Sequence, residues 1–382
     1  MNVVIHKSIN EIDEKEWDSI VEKNRLICTH SYIKAIEQSN INDCRYFYPV
    51  FYDKGEIVAH TSIYFISTEL DLFAKGFLKN TIDIIRRGWK GFFILRSIEC
   101  GTPVSLGNTI SFKEGVDRVE IMNLLCAETE RIAADIGAPV LLFRDFYDHE
   151  TGFFDLLKKR GYSRINNLPN TKIEIKWKSF DDYLSSMRSQ YRYKVIDRMN
   201  AFRTGGFSME VVRDFSLYAD DLERLCKNVY DNAKEYKRER LPAEFFKSIN
   251  THLEQRSAVI LIRRDSVIVG FTLLFFDHET LIPIFSGLDY DYSKEYAVYF
   301  NLLYKIVEVA IESGKKEVDL GITTLVPKKE IGADVVPLHM YMKHSKRIYN
   351  RIVPKLFSLM TPQDTSTPRS VFKRTASKKK VP

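Results

Sequence analysis

Two segments of the chain nearly match: IVAHTSIYF at Ile57–Phe65 and IVGFTLLFF at Ile268–Phe276. Each is an apolar, β-branched run that follows a short polar turn, Asp53–Gly55 in the first copy and Arg264–Ser266 in the second. Apolar runs on both sides of such a turn predict a β-hairpin. The recurrence of one hairpin in each half of the chain predicts an internal duplication.

The same order of predicted elements surrounds each hairpin. In the first half we predict strands at 3–6, 45–53, 56–66, 94–99 and 139–144, and helices at 14–23, 30–39 and 115–136. In the second half we predict strands at 209–212, 258–263, 267–276, 281–285 and 317–320, and helices at 217–231, 242–255 and 294–313. The pattern predicts an α/β (α+β) fold of two units, each a mixed, mostly antiparallel sheet flanked by helices.

The composition is that of a globular protein with about two domains. The chain has 382 residues, of which 45% are apolar and 28% charged, which excludes a disordered chain and a single small module. Its longest apolar run, Val267–Phe276, is too short to span a membrane, and Met1 leads directly into a strand pattern, so we expect neither a spanning helix nor a secretory signal. The five cysteines are scattered, which argues against disulfides and a metal site and favours the cytoplasm.

The positive charge is concentrated near the carboxyl end. Residues 343–382 contain eleven Lys and Arg residues and one acidic residue, Asp364, whereas the whole chain has a formal charge of +6. The remainder is slightly acidic, so nucleic acid is not the expected partner. A basic tail after an acidic body suits an anionic membrane surface, and a merely solvated tail is the alternative.

The first half contains an additional segment at about 67–93. Residues Leu70–Phe93 mix large apolar side chains with basic ones, which is typical of an interfacial amphipathic helix. We expect Phe77, Trp89 and Phe92 to contact a membrane or an acyl chain. A helix packed on the core is the alternative.

Several strings resemble those of the tandem GNAT acyltransferases, a group that includes the Fem-type peptidoglycan aminoacyltransferases. The string THSYIKAIEQS at Thr29–Ser39 resembles an early helix of this group. The string SFDDYLSSMRSQYRYKVIDRMNAF at Ser179–Phe202 resembles the group's basic inter-domain helix. The segment Ala310–His344 resembles the last helix and strands of this group. The string CGTPVSLGN at Cys100–Asn108 is similar to a string of the branch that includes bacterial ceramide synthases. The resemblance covers nearly all of residues 1–350.

The resemblance implies two GNAT-like domains, at 1–177 and 178–345, followed by a basic, partly disordered tail at 346–382. Typical GNAT domains bind the cofactor pyrophosphate through R-x-x-G-x-G/A at a helix start. Neither half has this motif. Fem-type members also lack it, so its absence bears on the pose of acetyl-CoA and not on the fold.

The implied fold places the reaction beside the ends of the central strands. Glu99, Asp145, Asp289 and Asp319 are the acids at or just beyond predicted strand ends. Asp319 is the first choice as base or amine-orienting carboxylate, because Gly321 allows close approach of a substrate. The alternative is an Asp that caps the following turn.

Further candidates follow in the last part of the chain. Lys328 and Lys329, with Thr323 on the preceding turn, are expected to bind the phosphates of a nucleotide carrier, and a solvated lysine pair is the alternative. His339 and Tyr341 share a face of the last strand by two-residue periodicity. Tyr341 is a candidate acid for the leaving thiolate, with ordinary core residues as the alternative.

Two arginines of the predicted basic helix are candidates for binding an anionic ligand. Arg188 and Arg192 lie on the basic helix, which is rich enough in arginine to face an anionic ligand; a plain connecting helix is equally compatible with the pattern.

Cys100 has no histidine near it in sequence, and transfer to an amine needs no covalent enzyme intermediate, so we expect a structural cysteine.

These observations and the resemblance together imply an N-acyltransferase with its active site in the second half. The expected donor is an acyl-CoA or an acyl carrier protein thioester, without a tightly bound cofactor. The expected acceptor is the amine of a lipid or envelope precursor at the inner face of the cytoplasmic membrane, with ceramide-synthase-like acylation as the sharpest form. The alternatives are Fem-type aminoacyl transfer from a charged tRNA and a non-catalytic protein that binds an acyl donor or lipid.

Overall fold

The computed structural model describes residues 1–69, 94–104, 106–233, 238–293, 295–360 and 369–373. Its strands are β1 Asn2–His6, β2 Arg45–Asp53, β3 Glu56–His60, β4 Ile63–Glu69, β5 Ile94–Cys100, β6 Ser111–Phe112, β7 Val140–Tyr147, β8 Ser163–Asn166, β9 Asn170–Glu174, β10 Phe207–Val212, β11 Ser257–Arg264, β12 Val267–Phe276, β13 Thr280–Leu288, β14 Glu317–Asp319, β15 Asp334–Val336 and β16 Leu338–His344. Its α-helices are α1 Glu14–Asp18, α2 His30–Gln38, α3 Arg118–Ile136, α4 Asp148–Phe154, α5 Phe180–Ser186, α6 Ser189–Thr204, α7 Ala219–Asn232, α8 Ala243–Leu253, α9 Tyr290–Ser293, α10 Val298–Glu312, α11 Leu325–Glu330 and α12 Arg347–Met360. The predicted contact residues Phe77, Trp89 and Phe92 lie outside the described residues.

One predicted strand, 56–66, is divided in the structure into β3 and β4. The second half of β2 pairs with β3, and its first half pairs with β4. Between β3 and β4, Thr61 and Ser62 are buried; their hydroxyls bond to Thr109 and to the carbonyl of Gly101. The amide of Thr61 still donates to the carbonyl of Pro49 in β2, so the chain stays beside β2 while its regular ladder changes from β3 to β4 at these two residues.

The first compact unit contains Met1–Leu168, Arg213–Ser257 and Pro337–Pro362. Among its described residues the sheet has the order β6-β3-β2-β4-β5-β7-β16-β8, and β1 pairs with β2. Strands β5 and β7 are parallel, with Ser97 opposite Val140. Helix α3 packs on β5 and β7. The buried side chains of this helix and of the sheet form the core of the unit.

The second compact unit contains Pro169–Val212, Ala258–Val336 and Gln363–Pro382. Its described sheet has the order β10-β11-β12-β13-β14-β9-β15. Strands β13 and β14 are parallel, and the other ladders around them are antiparallel. Helix α10 packs on β12, β13 and β14, so each unit has one long helix across its parallel strand pair.

The predicted fold class, two mixed sheets flanked by helices, is confirmed. Both units are discontinuous in sequence, because the segments Arg213–Ser257 and Pro337–Pro362, the latter with β16, belong to the first unit and divide the second. The structural units therefore differ from the continuous ranges 1–177, 178–345 and 346–382. A local sequence pattern predicts a strand but not the strands with which it pairs. Whether the three predicted ranges fold independently stays a prediction. Within the described part of the chain, no helix has the length and apolarity that a membrane crossing requires.

Candidate active site

In the second unit the parallel strands β13 and β14 part at their carboxyl ends. Among the described residues their ladder consists of the pairs Thr280–Glu317 and Leu281–Val318. Beyond these pairs β13 continues beside β12, while β14 ends at Asp319 and is held on its other side by β9. We call this gap the β13–β14 opening. Ligands of α/β proteins commonly bind where strand ends diverge in this way.

Asp319 lies at the edge of the β13–β14 opening. Its Oδ2 accepts a hydrogen bond from Asn170 Nδ2 at 2.9 Å, and its Oδ1 accepts one from the amide of Gly321 at 3.2 Å. Gly321 has a φ of +79°, in the region that favours glycine. Asp319 therefore does cap the turn that follows it, which was the alternative prediction. The carboxylate is fixed in position, and its side chain remains 12% exposed.

Both lysines of α11 are buried. Lys328 is 4% exposed and Lys329 5%, so the alternative of a solvated pair is wrong. Lys328 Nζ donates to the carbonyl of Gly321 at 3.1 Å. Burial lowers the pKa of Lys328 to about 7, and the charge of Asp319 opposes this only in part. Near neutral pH Lys328 is therefore present in both protonation states, as a proton-transfer group requires.

The first turn of α10 is joined to the beginning of α11. Tyr299 hydrogen-bonds to Thr324, the residue that precedes α11, and burial raises the pKa of Tyr299 to about 12. Thr324 has a φ of +60°, which is strained for a β-branched residue. The predicted binding residue Thr323 is exposed beside it. These contacts bring the start of α10, Thr323 and the helix of Lys328 to one edge of the second unit.

The two long helices that follow the parallel strands begin differently. In the first unit the carboxylate of Asp117 accepts from the amides of Val119 and Glu120 and so caps α3. In the second unit α10 follows Ala297, and no side chain of the described residues caps it. The first-turn amides of α10 are therefore open to an anion, whereas those of α3 bind the chain's own carboxylate.

The corresponding strand ends of the first unit carry a buried cluster of charges around Glu99. Its carboxylate accepts from Tyr64 at 2.6 Å, from Arg144 at 3.0 Å and from Arg238 at 2.6 Å. Burial alone would raise the pKa of Glu99, but the guanidiniums of Arg238 and Arg144 outweigh it and hold that pKa at about 2. Glu99 is therefore a permanently ionised partner of two arginines.

A bulge in β7 places Asp145 in the same cluster. The pairs His339–Phe146 and Tyr341–Phe143 leave two β7 residues opposite one residue of β16, and Asp145 has a φ of +63°. Such a bulge redirects side chains. As a result Asp145 Oδ2 lies 3.3 Å from Arg144 Nη2, its immediate neighbour in sequence. Burial is the main cause that raises the pKa of Asp145.

His339 and Tyr341 belong to the first unit, because β16 is part of its sheet. His339 Nε2 lies 2.5 Å from Asp148 Oδ1, and the Tyr341 hydroxyl donates to Asp155 Oδ1 at 2.9 Å. Burial and this bond to a carboxylate raise the pKa of Tyr341. Asp319, Lys328 and Thr323 belong to the second unit, so the predicted set is divided between two sheets, and a catalytic role for His339 and Tyr341 stays a prediction.

The predicted arginines lie at the start of α6 in the second unit. Arg188 precedes the helix and is half-buried, and its amide donates to the carbonyl of Val371. Arg192 is half-buried one turn later. Cys100 is buried in the first unit, and burial raises the pKa of its thiol to about 12, as is typical of a structural cysteine.

Several residues of both clusters were not predicted from the sequence. In the first unit these are Tyr64, Arg144 and Arg238, and in the second Asn170 and Tyr299. A polar residue within an apolar strand, as in LLFRDF around Arg144, is a usable signal for a buried network. Asn170 and Arg238 carry no such signal, because each reaches its partner across a long sequence separation.

The comparisons with known proteins agree with this architecture. Residues 8–324 match the profile of the FemAB-like family, described as peptidoglycan biosynthesis/recognition. Over 322 residues the chain is 25% identical to a protein of Mycobacterium tuberculosis named 8-amino-7-oxononanoate synthase 2; the match covers 83% of this chain and 42% of that protein. The chain thus spans less than half the length of the curated relatives that it matches.

Three solved structures share the fold at low sequence identity. FemX has a TM-score of 0.56 at 14% identity and covers 92% of this chain and 100% of its own. The C-terminal domain of a lysylphosphatidylglycerol synthetase from Agrobacterium fabrum has a TM-score of 0.55 at 12% identity, over 92% of this chain and 96% of that one. A tandem GNAT protein from the clavulanic acid biosynthesis pathway has a TM-score of 0.50 at 9% identity, over 90% and 99%.

The family match and the shared fold agree with the predicted tandem architecture. The acyltransferase activity itself stays a prediction. The narrower resemblance to ceramide synthases concerns the substrate and is a matter for proposal. Because the family profile matches residues 8–324, which is most of the chain, this protein belongs to the FemAB-like family.

Proposed function

We propose that the protein transfers an acyl group from a thioester donor to the amine of a lipid or envelope precursor, at the β13–β14 opening. The observation that carries this proposal is the pair formed by Asp319 and Lys328 at that opening. A fixed carboxylate can hold an ammonium group, and a buried lysine with a pKa of about 7 can take up its proton.

The chemistry follows from these two groups. Asp319 orients the acceptor amine, and neutral Lys328 accepts the proton that the amine must lose. The amine nitrogen attacks the thioester carbonyl, so a C–N bond forms and the C–S bond breaks. The proton held by Lys328 then goes to the thiolate, which leaves as the free thiol. No covalent enzyme intermediate is needed.

The donor is an acyl-CoA or an acyl carrier protein thioester, both of which carry phosphate. The uncapped first turn of α10 supports this assignment, because its amides and helix dipole favour an anion. Since Lys328 and Lys329 are buried, we assign phosphate binding to this turn and to the exposed Thr323.

For the acceptor, we favour a long-chain aliphatic amine, as in ceramide-synthase-like acylation. The name of the Mycobacterium tuberculosis relative describes the synthesis of an amine on an aliphatic chain, which is the chemical class that such an N-acyltransferase would use. We place the reaction at the inner face of the cytoplasmic membrane. Phe77, Trp89 and Phe92 of the insert would contact the lipid, as the sequence predicts.

Fem-type aminoacyl transfer from a charged tRNA is the second candidate, and the family description, peptidoglycan biosynthesis/recognition, favours it. In that case the acyl group is an aminoacyl ester and the leaving group is a ribose hydroxyl. Arg188 and Arg192 of the basic helix are the residues that would meet the tRNA phosphates.

One assay separates these functions. The purified chain is mixed with long-chain acyl-CoA and a long-chain amino alcohol, and free thiol is followed together with the amide product. Amine-dependent release of thiol supports the proposal. Consumption of aminoacyl-tRNA with a peptidoglycan precursor, but not of acyl-CoA, would establish the Fem-type reaction instead. Saturable binding of acyl-CoA without turnover of either donor would indicate a non-catalytic binding protein.

A further inference from the structure

Helix α12, in the first unit, is attached by one face. Val353 and Phe357 pack on an apolar cluster of β7, β8 and β16. Asn350 Nδ2 donates to the carbonyl of Gly161 at 2.9 Å, and its Oδ1 accepts from the amide of His344 at 2.8 Å. These residues recur at helical spacing, so one side of α12 is fixed against the sheet.

The opposite side of α12 exposes a cluster of large apolar side chains. Ile348 is 74% exposed, Tyr349 50% and Ile352 47%. Ile348 and Ile352 lie one turn apart on the side away from Phe357, and Tyr349 lies at the edge of this group, one turn before Val353. A group of exposed apolar residues on one helix face marks an interaction surface more often than an isolated exposed residue does.

The charges around this cluster all have one sign. Four exposed basic residues accompany it: Lys346, Arg347, Arg351 and Lys355. The chain has no Asp or Glu between Asp334 and Asp364. Within the described residues no carboxylate forms an ion pair with any of the four, although other exposed basic residues, such as Arg131, have such partners. Together with Ile348, Tyr349 and Ile352 these residues form the α12 outer face.

We propose that the α12 outer face docks the protein on an anionic lipid surface. Charge complementarity favours this occupant, because uncompensated basic side chains attract acidic headgroups while the apolar residues enter the boundary of the acyl chains. Tyr349 has the amphipathic character that suits this interface. Docking would place the proposed reaction at a membrane surface, and only this consequence rests on the proposed function. Docking itself requires neither donor nor acceptor.

Binding of the full chain to vesicles tests this proposal without any substrate. Phosphatidylglycerol-containing vesicles are compared with pure phosphatidylcholine vesicles over a range of salt concentrations. We expect preference for the anionic vesicles, and a reduction of about tenfold or more when Arg347, Arg351 and Lys355 are changed together to Gln. That loss should be largest at low salt. Changing Ile348, Tyr349 and Ile352 together to Ser should reduce binding at every salt concentration.

Matched controls change the same kinds of residue elsewhere. Lys23, Lys54 and Lys247 are exposed lysines outside α12, and Val119 and Leu217 are exposed apolar residues outside it. Changing the three lysines to Gln, or the two apolar residues to Ser, should leave vesicle binding unchanged.

Three results would overturn the proposal. These are equal binding to neutral and anionic vesicles, wild-type binding by both α12 variants, and a loss of self-association in the Ser variant with intact vesicle binding. The last result would identify the α12 outer face as a contact between copies of the chain. Asp319→Asn should lower turnover about 10²-fold or more and leave vesicle binding intact, so a failure of docking and a failure of the proposed reaction are distinguishable.

Discussion

The burial of Lys328 makes the stability of the protein depend on pH. Its pKa falls from 10.5 to about 7 in the folded protein. Between those values the folded state binds fewer protons than the unfolded chain, so the free energy of unfolding rises with pH across that window. Lys328→Met removes this dependence. We expect the variant to be more stable than wild type by roughly 2 kcal/mol or more below pH 7, with the difference shrinking towards pH 10.5. Urea unfolding at a series of pH values measures it, with Lys247→Met, at an exposed lysine, as the control.

The protonation of Lys328 also predicts how activity depends on pH. If neutral Lys328 accepts the proton of the acceptor, turnover should increase as pH rises through about 7. Arginine stays charged throughout this range, so Lys328→Arg should lower turnover about 10²-fold or more without recovery at higher pH. A Lys328→Arg enzyme with the wild-type pH–rate profile would exclude Lys328 as the base.

Asp319 is the residue that we expect to hold the ammonium group of the acceptor. Asp319→Asn keeps the shape of the side chain but loses the charge that would hold an ammonium group, so turnover should fall about 10²-fold or more. The matched control is Asp334→Asn, at an exposed acid on β15 of the same unit. Free-thiol release is the measurement. Wild-type turnover by Asp319→Asn, together with its loss in Asp145→Asn, would move the reaction to the first unit.

The segment 369–373 is bound to the second unit next to α11. Phe372 forms a β-bridge with Met187, and its ring centroid lies 5.0 Å from that of Trp177. Arg369 forms an ion pair with Glu330, the last residue of α11. The segment therefore contacts the short helix that carries Lys328, and we expect it to stabilise that helix.

Gly332 provides a test of this contact. It has a φ of +96°, and a Cβ added there would lie 2.3 Å from the ring of Phe372. Gly332→Ala should therefore cost about 2 kcal/mol or more through steric overlap and backbone strain. In a Phe372→Ala background the overlap is gone, so the same change should cost only about 1 kcal/mol. Urea unfolding of the four proteins measures the coupling, and additive effects would show that Phe372 does not occupy this position.

At the scale of the whole molecule, both sheets depend on strands from distant parts of the chain. A fragment of residues 1–177 lacks β16, which separates β7 from β8. We expect this fragment to remain largely unfolded, and addition of the missing segments 213–257 and 337–362 to restore protection of the β7 amides. Hydrogen exchange measures this. A fragment 1–177 with native protection by itself would instead support the predicted continuous domain.

Residue patterns within short windows of the chain predict the local elements and the fold class. The prediction of a strand at 267–276 matches β12, and the long helix predicted to end at Gly137 does so, with Gly137 at a φ of +71°. These features depend on side-chain periodicity and turn chemistry within a few residues, which any short window of sequence contains. The sequence and the resemblance also point to Asp319 and Lys328 as candidate site residues, and their roles stay predictions.

The neighbours and the environments of these residues depend on the packing of the whole chain. It placed His339 and Tyr341 in the first sheet, directed Arg144 and Asp145 into one buried cluster through a bulge, and buried Lys328 beside Asp319. The protonation of Lys328 depends on its burial in the folded unit, and the position of β16 depends on its pairing with β7 and β8. Burial and strand pairing are properties of the packed chain, so no local pattern of residues records them.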